Sequence, residues 1–431
     1  MIEVLHLTAH LGGGVGKALA TLVTESQAMG APFRHVIACL EAPEKSQFVE
    51  PILAQGAEVL LAPSLQTLRE RVTRADVLHL DWWNHPVTIK TLCALGPVSI
   101  RLLMWVHVSG LHNPQIPRRL LDLAQQVVFT SPCSMQLVEG ALKPADIDKY
   151  TVISSAGGLE AWPVPARAPK SRASATAVGY VGTLNFAKLH PNYVDFLARV
   201  KRPGLVVDLI GDEVGRDTLT AQCLALGRPD LLRFHGYTTD VAQALAKLDV
   251  LAYLLNPCHY GTAENALVEA MAMGVVPVVL NNPAEQCIVD HLQTGMVVAT
   301  PDAFAEALEW LIDHPQERHA MGKRAMQSVR ARFASRRMAE SFQQCYAQLM
   351  MQDKATVVFE EAFGREPAAW FLSCQDASTC FHPDGGVQWP ADPMARYGLL
   401  EKSKGSVFHF QRTFPDNVQL GGWARQLKVM S

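Results

Sequence analysis

The chain has 431 residues, of which 49% are hydrophobic and 18% charged, a composition typical of a folded protein with two or three domains. Its 38 basic and 41 acidic residues give a net charge of −3, which excludes the basic footprint of a nucleic-acid partner. The same balance argues against a generally basic membrane-binding surface. It does not exclude a local basic patch, so peripheral membrane contact stays open. Nine scattered cysteines without a C-x-x-C pair indicate neither a disulfide framework nor a zinc site, and they favour a reducing, cytoplasmic setting.

Neither a secretory leader nor a membrane span is expected. Residues 1–11 carry an acidic residue and histidines in their apolar stretch and have no basic start, unlike a signal peptide. The apolar run at 266–280 is interrupted by Glu269, Gly274 and Pro277, so it is too broken for a transmembrane helix.

Short apolar runs alternate with helical patterns through the first half of the chain. A helix is predicted at 17–29, after the glycine-rich residues 12–16. Strands are predicted at 2–8, 34–40, 77–80, 98–103 and 127–130. Buried strands alternating with helices predict parallel βαβ units, whose ligands bind at the carboxyl ends of the strands.

The same alternation restarts after a proline-rich stretch at 161–176. Strands are predicted at 177–181, 205–210, 231–235, 250–255 and 275–280, and helices at 192–200, 239–248, 263–273, 302–313 and 315–351. We therefore expect a first domain at 1–160, a linker at 161–176 and a second domain at 177–354. Residues 355–431 form an extension with 11 aromatic residues, which need burial on the body of the protein or on a partner.

The first stretch that could carry chemistry is the glycine-rich turn at 12–16. Glycines after a strand let the backbone approach a ligand closely, and the following helix offers free N–H groups to an anion. The turn is not a Walker A loop, because Leu11 and Ala18 stand where that motif needs glycine and serine or threonine. Gly13 and Gly14 are therefore candidate ligand contacts, and a βα turn without a ligand is the alternative.

Two further stretches lie in the second half. Lys188 follows the strand predicted to end at Gly182 and could reach a phosphate as a point charge, although most surface lysines are simply solvated. Glu269 lies in the middle of an apolar helix, where a carboxylate is costly unless it is paired or faces a site. Ribose hydroxyls would suit it, and an exposed helix position is the alternative.

Together, these features resemble the GT-B-fold glycosyltransferases, in particular the retaining family 4 group, over residues 1–350. The helix Glu269-Ala-Met-Ala-Met-Gly-Val-Val-Pro-Val is similar to that family's Glu-Ala-Met-Ala-x-Gly-x-Pro-Val-Val, with one extra residue. The resemblance implies two Rossmann-like doubly wound domains of the α/β class facing across a cleft. It also implies a nucleotide diphosphate sugar donor, transfer to an acceptor hydroxyl with retention, and no cofactor or metal.

The chain departs from the family pattern at three positions. Thr183 stands where the family has a phosphate-binding arginine, Leu189 where it has glycine, and Gly261 where it has a first glutamate that contacts the sugar. Lys188 and Glu269 keep their places as the implied diphosphate and ribose contacts. The donor-binding set that the resemblance implies is Gly13, Gly14, Thr183, Lys188, Gly261, Thr262, Ala263, Glu264, Asn265, Ala266 and Glu269.

In such a transfer, negative charge builds on the leaving phosphate, so fixed positive groups are needed near it. The resemblance implies this role for Lys188, with the helix N-terminus at 262–266, and implies that His107 contacts the sugar or assists proton transfer. A structural histidine is the alternative for His107. Two other functions stay open: a sugar-nucleotide epimerase on the same fold, and a catalytically reduced protein that binds a partner through its aromatic extension.

Overall fold

The computed structural model describes residues 1–42, 47–141, 148–166, 175–376, 380–402 and 405–430, together with residues 168 and 171. Part of the predicted linker, at 167, 169–170 and 172–174, lies outside the described residues. The chain divides into two compact units. The first unit comprises Met1–Gly158, Tyr260–Ala263 and Ser335–Ser431, and the second unit comprises Leu159–His259 and Glu264–Ala334.

The first unit is built on a parallel seven-stranded sheet in the order β3-β2-β1-β4-β6-β7-β8. The first eight strands of this unit are β1 (Ile2–Thr8), β2 (Phe33–Cys39), β3 (Glu58–Leu61), β4 (Val77–Trp82), β5 (Val98–Ile100), β6 (Leu102–Val106), β7 (Gln126–Phe129) and β8 (Tyr150–Val152), of which β5 lies outside the seven-stranded sheet. Its first helices are α1 (Gly13–Ala28), α2 (Val49–Ala54), α3 (Leu65–Arg74), α4 (Pro86–Ala94) and α5 (Arg118–Leu123). All residues of β4 and β6 are buried, as expected of central strands covered on both faces.

The single strand predicted at 98–103 is wrong in detail, because it is two strands separated by Arg101. The guanidinium of Arg101 donates to the carbonyl oxygens of Gln352 and Asp76, so this residue cannot continue a fully buried parallel strand. After it, β6 enters the large sheet. Before it, β5 pairs antiparallel with β15 (Ala355–Val357).

The C-terminal part of the chain completes the first unit. Its helices are α13 (Ser335–Met350), α14 (Glu360–Phe363), α15 (Pro367–Ser373), α16 (Pro393–Leu399), α17 (Val407–Thr413) and α18 (Val418–Met430). The predicted long helix at 315–351 breaks at Phe333 and Ala334, and the predicted second domain ended at 354, whereas residues 335–354 cluster with the first unit. The reason is the apolar face of α13, which packs on α1 and β4.

The aromatic extension shares the core of the sheet. Phe363 stacks on Trp82 of β4 with ring centroids 5.3 Å apart, and Phe371, Phe410 and Trp423 belong to one buried cluster with residues of β4 and β6. Burying these rings removes large apolar areas from water, which is the main stabilising contribution of such side chains.

The second unit repeats the same topology in a parallel six-stranded sheet ordered β11-β10-β9-β12-β13-β14. Its strands are β9 (Val178–Val181), β10 (Val207–Ile210), β11 (Leu232–Gly236), β12 (Val250–Tyr253), β13 (Val276–Leu280) and β14 (Met296–Val298). Its helices are α6 (Tyr193–Ala198), α7 (Arg216–Ala225), α8 (Val241–Ala246), α9 (Asn265–Ala272), α10 (Pro283–Gln286), α11 (Pro301–Asp313) and α12 (Pro315–Arg332). In both units the first strand lies beside the fourth, the strand order of doubly wound folds, so the predicted α/β class is confirmed.

Within the described ranges, no helix combines the length and the apolar character that crossing a lipid bilayer requires.

Replacing Trp423 with alanine is expected to lower the free energy of unfolding by about 3–5 kcal/mol, the usual cost of truncating a buried tryptophan. The indole is fully buried, and its Nε1–H donates to the carbonyl oxygen of His382 at 2.9 Å. Denaturant titration followed by circular dichroism measures the effect. Trp310→Ala is the control, because Trp310 is 37% exposed and its loss should cost less than about 1 kcal/mol. Equal effects of the two variants would contradict a shared core.

Candidate active site

The glycine-rich turn lies in the first unit between β1 and α1. The helix begins at Gly13, four residues earlier than predicted, with Gly12 as its N-cap. Gly13 has a φ of +56°, and a Cβ on Gly16 would lie 2.6 Å from the carbonyl oxygen of Leu11. Glycine is therefore required for the tight turn at both positions. Gly13 and Gly14 are exposed at the N-terminus of a 16-residue helix, which gives them the geometry of an anion contact.

In the second unit, Lys188 lies in the loop after β9, at the carboxyl edge of the sheet. Its ammonium is 3.1 Å from Oε2 of Glu264, and its side chain is 23% exposed. Its backbone is fixed as well, since its N–H donates to Oδ1 of Asn185 and its carbonyl oxygen accepts from the N–H of Asn256. Thr183, at the start of the same loop, is half-buried, and its carbonyl oxygen accepts from the Tyr180 hydroxyl at 3.0 Å.

Glu264 is the centre of a buried polar network. Its side chain is inaccessible to solvent, and its Oε2 accepts a hydrogen bond from the Tyr253 hydroxyl at 2.6 Å in addition to the ion pair with Lys188. Burial alone would raise the pKa of this carboxyl, but Lys188 and His259 outweigh burial and hold it below its ordinary value. Glu264 is therefore ionised at neutral pH.

The backbone of Glu264 is strained. Glu264 caps α9 with a φ of +41°, a left-handed conformation that costs a residue other than glycine of the order of 1–3 kcal/mol. The contacts of its carboxylate offset this cost. The conformation turns the chain from the loop after β12 into α9, which begins at Asn265 rather than at the predicted residue 263.

A second buried carboxylate continues the network through His259. His259 Nε2 lies 3.2 Å from Oε2 of Glu285, and its Nδ1 lies 3.8 Å from Oε1 of Glu264. Asn282 donates to the other oxygen of Glu285 at 3.1 Å. Burial lowers the pKa of His259, but Glu285 and Glu264 more than compensate and raise it above its ordinary value. Two buried carboxylates therefore share one polar network with the ammonium of Lys188 and the ring of His259.

The remaining members of the predicted donor set are distributed along the same segment. Glu269 is half-buried in the second turn of α9, and Asn265 and Ala266 are half-buried in its first turn. Gly261, Thr262 and Ala263 cluster with the first unit. Thr262 is buried, and its hydroxyl lies 2.7 Å from the hydroxyl of Thr130.

His107 follows β6 in the first unit and is held by a buried carboxylate. Its Nε2 lies 3.1 Å from Oδ1 of Asp81, and its backbone N–H donates to the carbonyl oxygen of Trp82. Burial raises the pKa of Asp81, while the hydrogen bond from His107 acts in the opposite direction. With Nε2 donating to Asp81, Nδ1 of His107 is left as an acceptor or base.

Sequence reasoning missed Tyr253, His259, Glu285 and Asp81, and it placed Glu264 in the donor-binding set rather than in a pair with Lys188. Three signals were available. Tyr253 lies in the strand predicted at 250–255, His259 lies between that strand and the helix predicted at 263–273, and Asp81 directly follows the strand predicted at 77–80. No sequence signal pointed to Glu285, whose place depends on the packing of α10.

Comparison with known proteins finds a similarity in the second unit. Residues 167–328 match the family model described as glycosyl transferases group 1. This confirms the predicted resemblance to the glycosyltransferases, and the narrower assignment to family 4 stays a prediction.

One curated protein to which the chain is similar is the lipopolysaccharide core biosynthesis glycosyltransferase LpsE of Rhizobium meliloti. It is 26% identical over 156 residues, which cover 36% of this chain and 44% of LpsE. The chain thus matches less than half of the length of that relative.

Solved structures show the fold over a larger part of the chain. Anabaena HepE in complex with UDP aligns with a TM-score of 0.65 at 16% identity, covering 81% of this chain and all of HepE. A sucrose-phosphate synthase from Thermosynechococcus elongatus aligns with a TM-score of 0.61 at 15% identity, covering 81% of this chain and all of that chain. The predicted GT-B fold is confirmed by these similarities.

Removing Lys188 is expected to destabilise the second unit, because Glu264 would remain buried and charged. Lys188→Ala should lower the free energy of unfolding by about 1–3 kcal/mol, the usual cost of an uncompensated buried polar group. Glu264→Gln should remove most of this penalty when the two substitutions are combined. A double-mutant cycle measured by denaturant titration gives the coupling, expected at about 0.5–3 kcal/mol.

The matched control is Lys247→Ala, which removes an exposed lysine of the same unit. It should change stability by less than about 0.5 kcal/mol. A coupling energy near zero between positions 188 and 264 would show that the ion pair contributes nothing.

Proposed function

We propose that this chain is a glycosyltransferase that moves a sugar from a nucleotide diphosphate sugar to an acceptor hydroxyl, with retention at the anomeric carbon and without a metal in the transfer step. The observation that carries the proposal is the group 1 domain in which a lysine is fixed at the carboxyl edge of the sheet by a buried carboxylate. A uridine diphosphate sugar is the first candidate donor, because HepE structures contain UDP and UDP-glucose.

The chemistry needs positive charge beside the leaving diphosphate. Lys188 supplies a full charge that is already oriented, and the N-terminus of α9 supplies backbone dipoles from the same unit. Groups fixed in advance stabilise the developing charge without reorganising during the reaction, so they can serve where other enzymes use a metal ion. Gly13 and Gly14 stay in the proposed donor set because of the exposed N-terminus of α1.

Glu264 is proposed to position Lys188 rather than to touch the donor, since its carboxylate is fully buried. An ammonium group held between a fixed carboxylate and a diphosphate keeps its place as charge moves to the phosphate. Glu269 is proposed to accept hydrogen bonds from ribose hydroxyls, because it is half-buried in the second turn of α9, five residues after Glu264.

His107 is proposed to contact the sugar or to assist proton transfer. Asp81 holds the ring with Nε2 toward the core, which fixes the tautomer and leaves Nδ1 for this role. The acceptor is proposed only as a hydroxyl compound of glycan, lipid, protein or small-molecule type, with no role for nucleic acid. A cytoplasmic location is proposed because the nine scattered cysteines do not have the pattern of a disulfide framework.

A second candidate function is binding without transfer. It is favoured by two observations: the charge of Lys188 is already balanced by Glu264, and Gly261 offers no carboxylate to the donor sugar. Analysis of the products after incubation with UDP-sugars separates the candidates, because a transferase releases UDP, an epimerase returns an altered sugar, and a binding protein leaves the donor intact.

Glu269→Gln is expected to weaken UDP affinity by about 1–3 kcal/mol, because a carboxylate forms stronger hydrogen bonds with ribose hydroxyls than an amide does. Isothermal titration calorimetry with UDP and with a UDP-sugar measures the change. Glu306→Gln, at an exposed position of α11, is the control and should bind as the wild type does. Unchanged affinity in a folded Glu269→Gln protein would assign Glu269 to the helix surface alone.

Lys188→Ala is expected to lower kcat about 100- to 1,000-fold, and to weaken UDP binding less, because the charge it stabilises grows as the glycosidic bond breaks. Release of UDP from a donor that the wild type turns over gives the rate. Thermal unfolding in the same buffer verifies that the variant is folded at the assay temperature, and Lys247→Ala is the control. A folded Lys188→Ala protein with wild-type turnover would remove Lys188 from the mechanism.

A further inference from the structure

The first unit contains a group of buried histidines that the proposed transfer reaction does not use. His6 on β1 and His79 on β4 are directly opposite each other in the parallel register. Asp81 lies two residues beyond His79, so it points to the same face of the sheet. All three side chains are buried, and one nitrogen or oxygen atom of each lies within 4.8 Å of those of the other two.

Each of the two histidines is oriented by an outer hydrogen bond. His6 Nε2 lies 2.9 Å from Nδ1 of His35 on β2. His79 Nδ1 lies 2.7 Å from the hydroxyl of Tyr346 on α13. An imidazole that binds a metal usually uses its other nitrogen in a hydrogen bond of this kind, which fixes the tautomer and the ring orientation.

The carboxylate of Asp81 likewise has one atom in an outer hydrogen bond and one atom left for a ligand. Oδ1 of Asp81 accepts from Nε2 of His107, while Oδ2 is buried without a hydrogen-bond partner among the described residues. Nδ1 of His6 and Nε2 of His79 are likewise buried without a partner there. Leaving three buried polar atoms unsatisfied costs about 1–3 kcal/mol each, which a ligand common to all three would relieve.

We propose that His6, His79 and Asp81 bind one divalent transition-metal ion, with Zn²⁺ as the best match. Two imidazoles and a carboxylate are a usual donor set for Zn²⁺, which accepts nitrogen and oxygen ligands in a tetrahedral arrangement. The ion binds inside the first unit, against one face of its sheet, rather than at the donor site proposed in the second unit. Its role is to stabilise the first unit and, through Asp81, to hold His107.

The protonation states suit this ligand set. Burial lowers the pKa of both His6 and His79 well below the ordinary value, and neighbouring histidines add to the effect. The imidazoles are therefore neutral at physiological pH, which is the form that binds a metal. A divalent ion would also supply the positive charge that the buried carboxylate of Asp81 lacks.

This cluster could not be predicted from the sequence. Zinc was not expected because the cysteines lack metal-binding spacing, whereas His6 and His79 are 73 positions apart and meet only in the sheet. The experiment therefore uses metal binding itself as the readout, independent of any transferase activity.

Full-length protein dialysed against a chelator is titrated with Co²⁺, a spectroscopic probe for zinc sites. We expect one equivalent to bind with the visible absorption of a tetrahedral nitrogen and oxygen site, and Zn²⁺ to displace it. His79→Gln and Asp81→Asn should each weaken Co²⁺ binding by more than about 100-fold, beyond the roughly 10- to 100-fold effect of losing an outer partner. His190→Asn, at a buried histidine of the second unit, should bind as the wild type does.

Two further measurements apply if those variants do not fold. Tyr346→Phe removes only the hydroxyl beside His79 and should weaken binding about 10-fold or more. X-ray absorption of the wild-type complex should show imidazole ligands and no sulfur. The proposal is overturned if the wild type binds no Co²⁺ in the stoichiometric titration, if the ligand variants keep wild-type affinity, or if the bound ion has sulfur ligands.

Discussion

A carboxylate removed from water must recover its solvation from fixed groups of the protein, and each unit of this chain contains one buried carboxylate at its candidate site. In the second unit, Glu264 is inaccessible to solvent and is compensated by Lys188, the Tyr253 hydroxyl and His259. In the first unit, Asp81 is equally buried and contacts His107. The requirement to balance these charges fixes the side chains that the proposed reaction uses.

The compensation differs between the two units. Around Glu264, the cations outweigh burial, so the pKa of its carboxyl falls below the ordinary value. Around Asp81, burial is the larger effect and the pKa rises, because a single histidine supplies the only hydrogen bond found among the described residues. The carboxylate of Glu264 is therefore part of a complete ion pair. The carboxylate of Asp81 lacks a cation that fully compensates for its burial.

The fold could be predicted in outline because its signals are local. Apolar strand segments such as residues 2–8 and 250–255 alternate with helices, and that pattern alone predicts parallel doubly wound sheets. The break at Arg101 could not be predicted, because it depends on carbonyl oxygens of residues distant in sequence. The helices of the extension were hidden for the same reason, since their aromatic side chains are ordered by packing on the first unit.

The candidate site shows the same division between local and distant information. Lys188 could be chosen as a candidate from the sequence because its position after a strand is a sequence property. The pairing of Lys188 with Glu264 was not found, because the two residues are 76 positions apart and the left-handed backbone at 264 breaks the expected register. The histidine cluster required even more, as its three members come from two strands and its outer partners are His35 on a third strand and Tyr346 on a helix 267 residues beyond His79.

The N-terminal and C-terminal segments of the first unit, 1–158 and 335–431, depend on each other. The helix α13 follows the whole second unit in the sequence, yet it returns to β4 and places Phe342 and Tyr346 against the ring of His79. These aromatic rings exclude water from the histidines, and exclusion of water is what keeps the imidazoles neutral. A metal ion bound there would attract electron density from Asp81 at Oδ2 and leave Oδ1 a weaker acceptor for His107. The hydrogen bond that favours the Nε2–H tautomer of His107 would then be weaker, so the buried core and the predicted catalytic histidine would be coupled through one carboxylate.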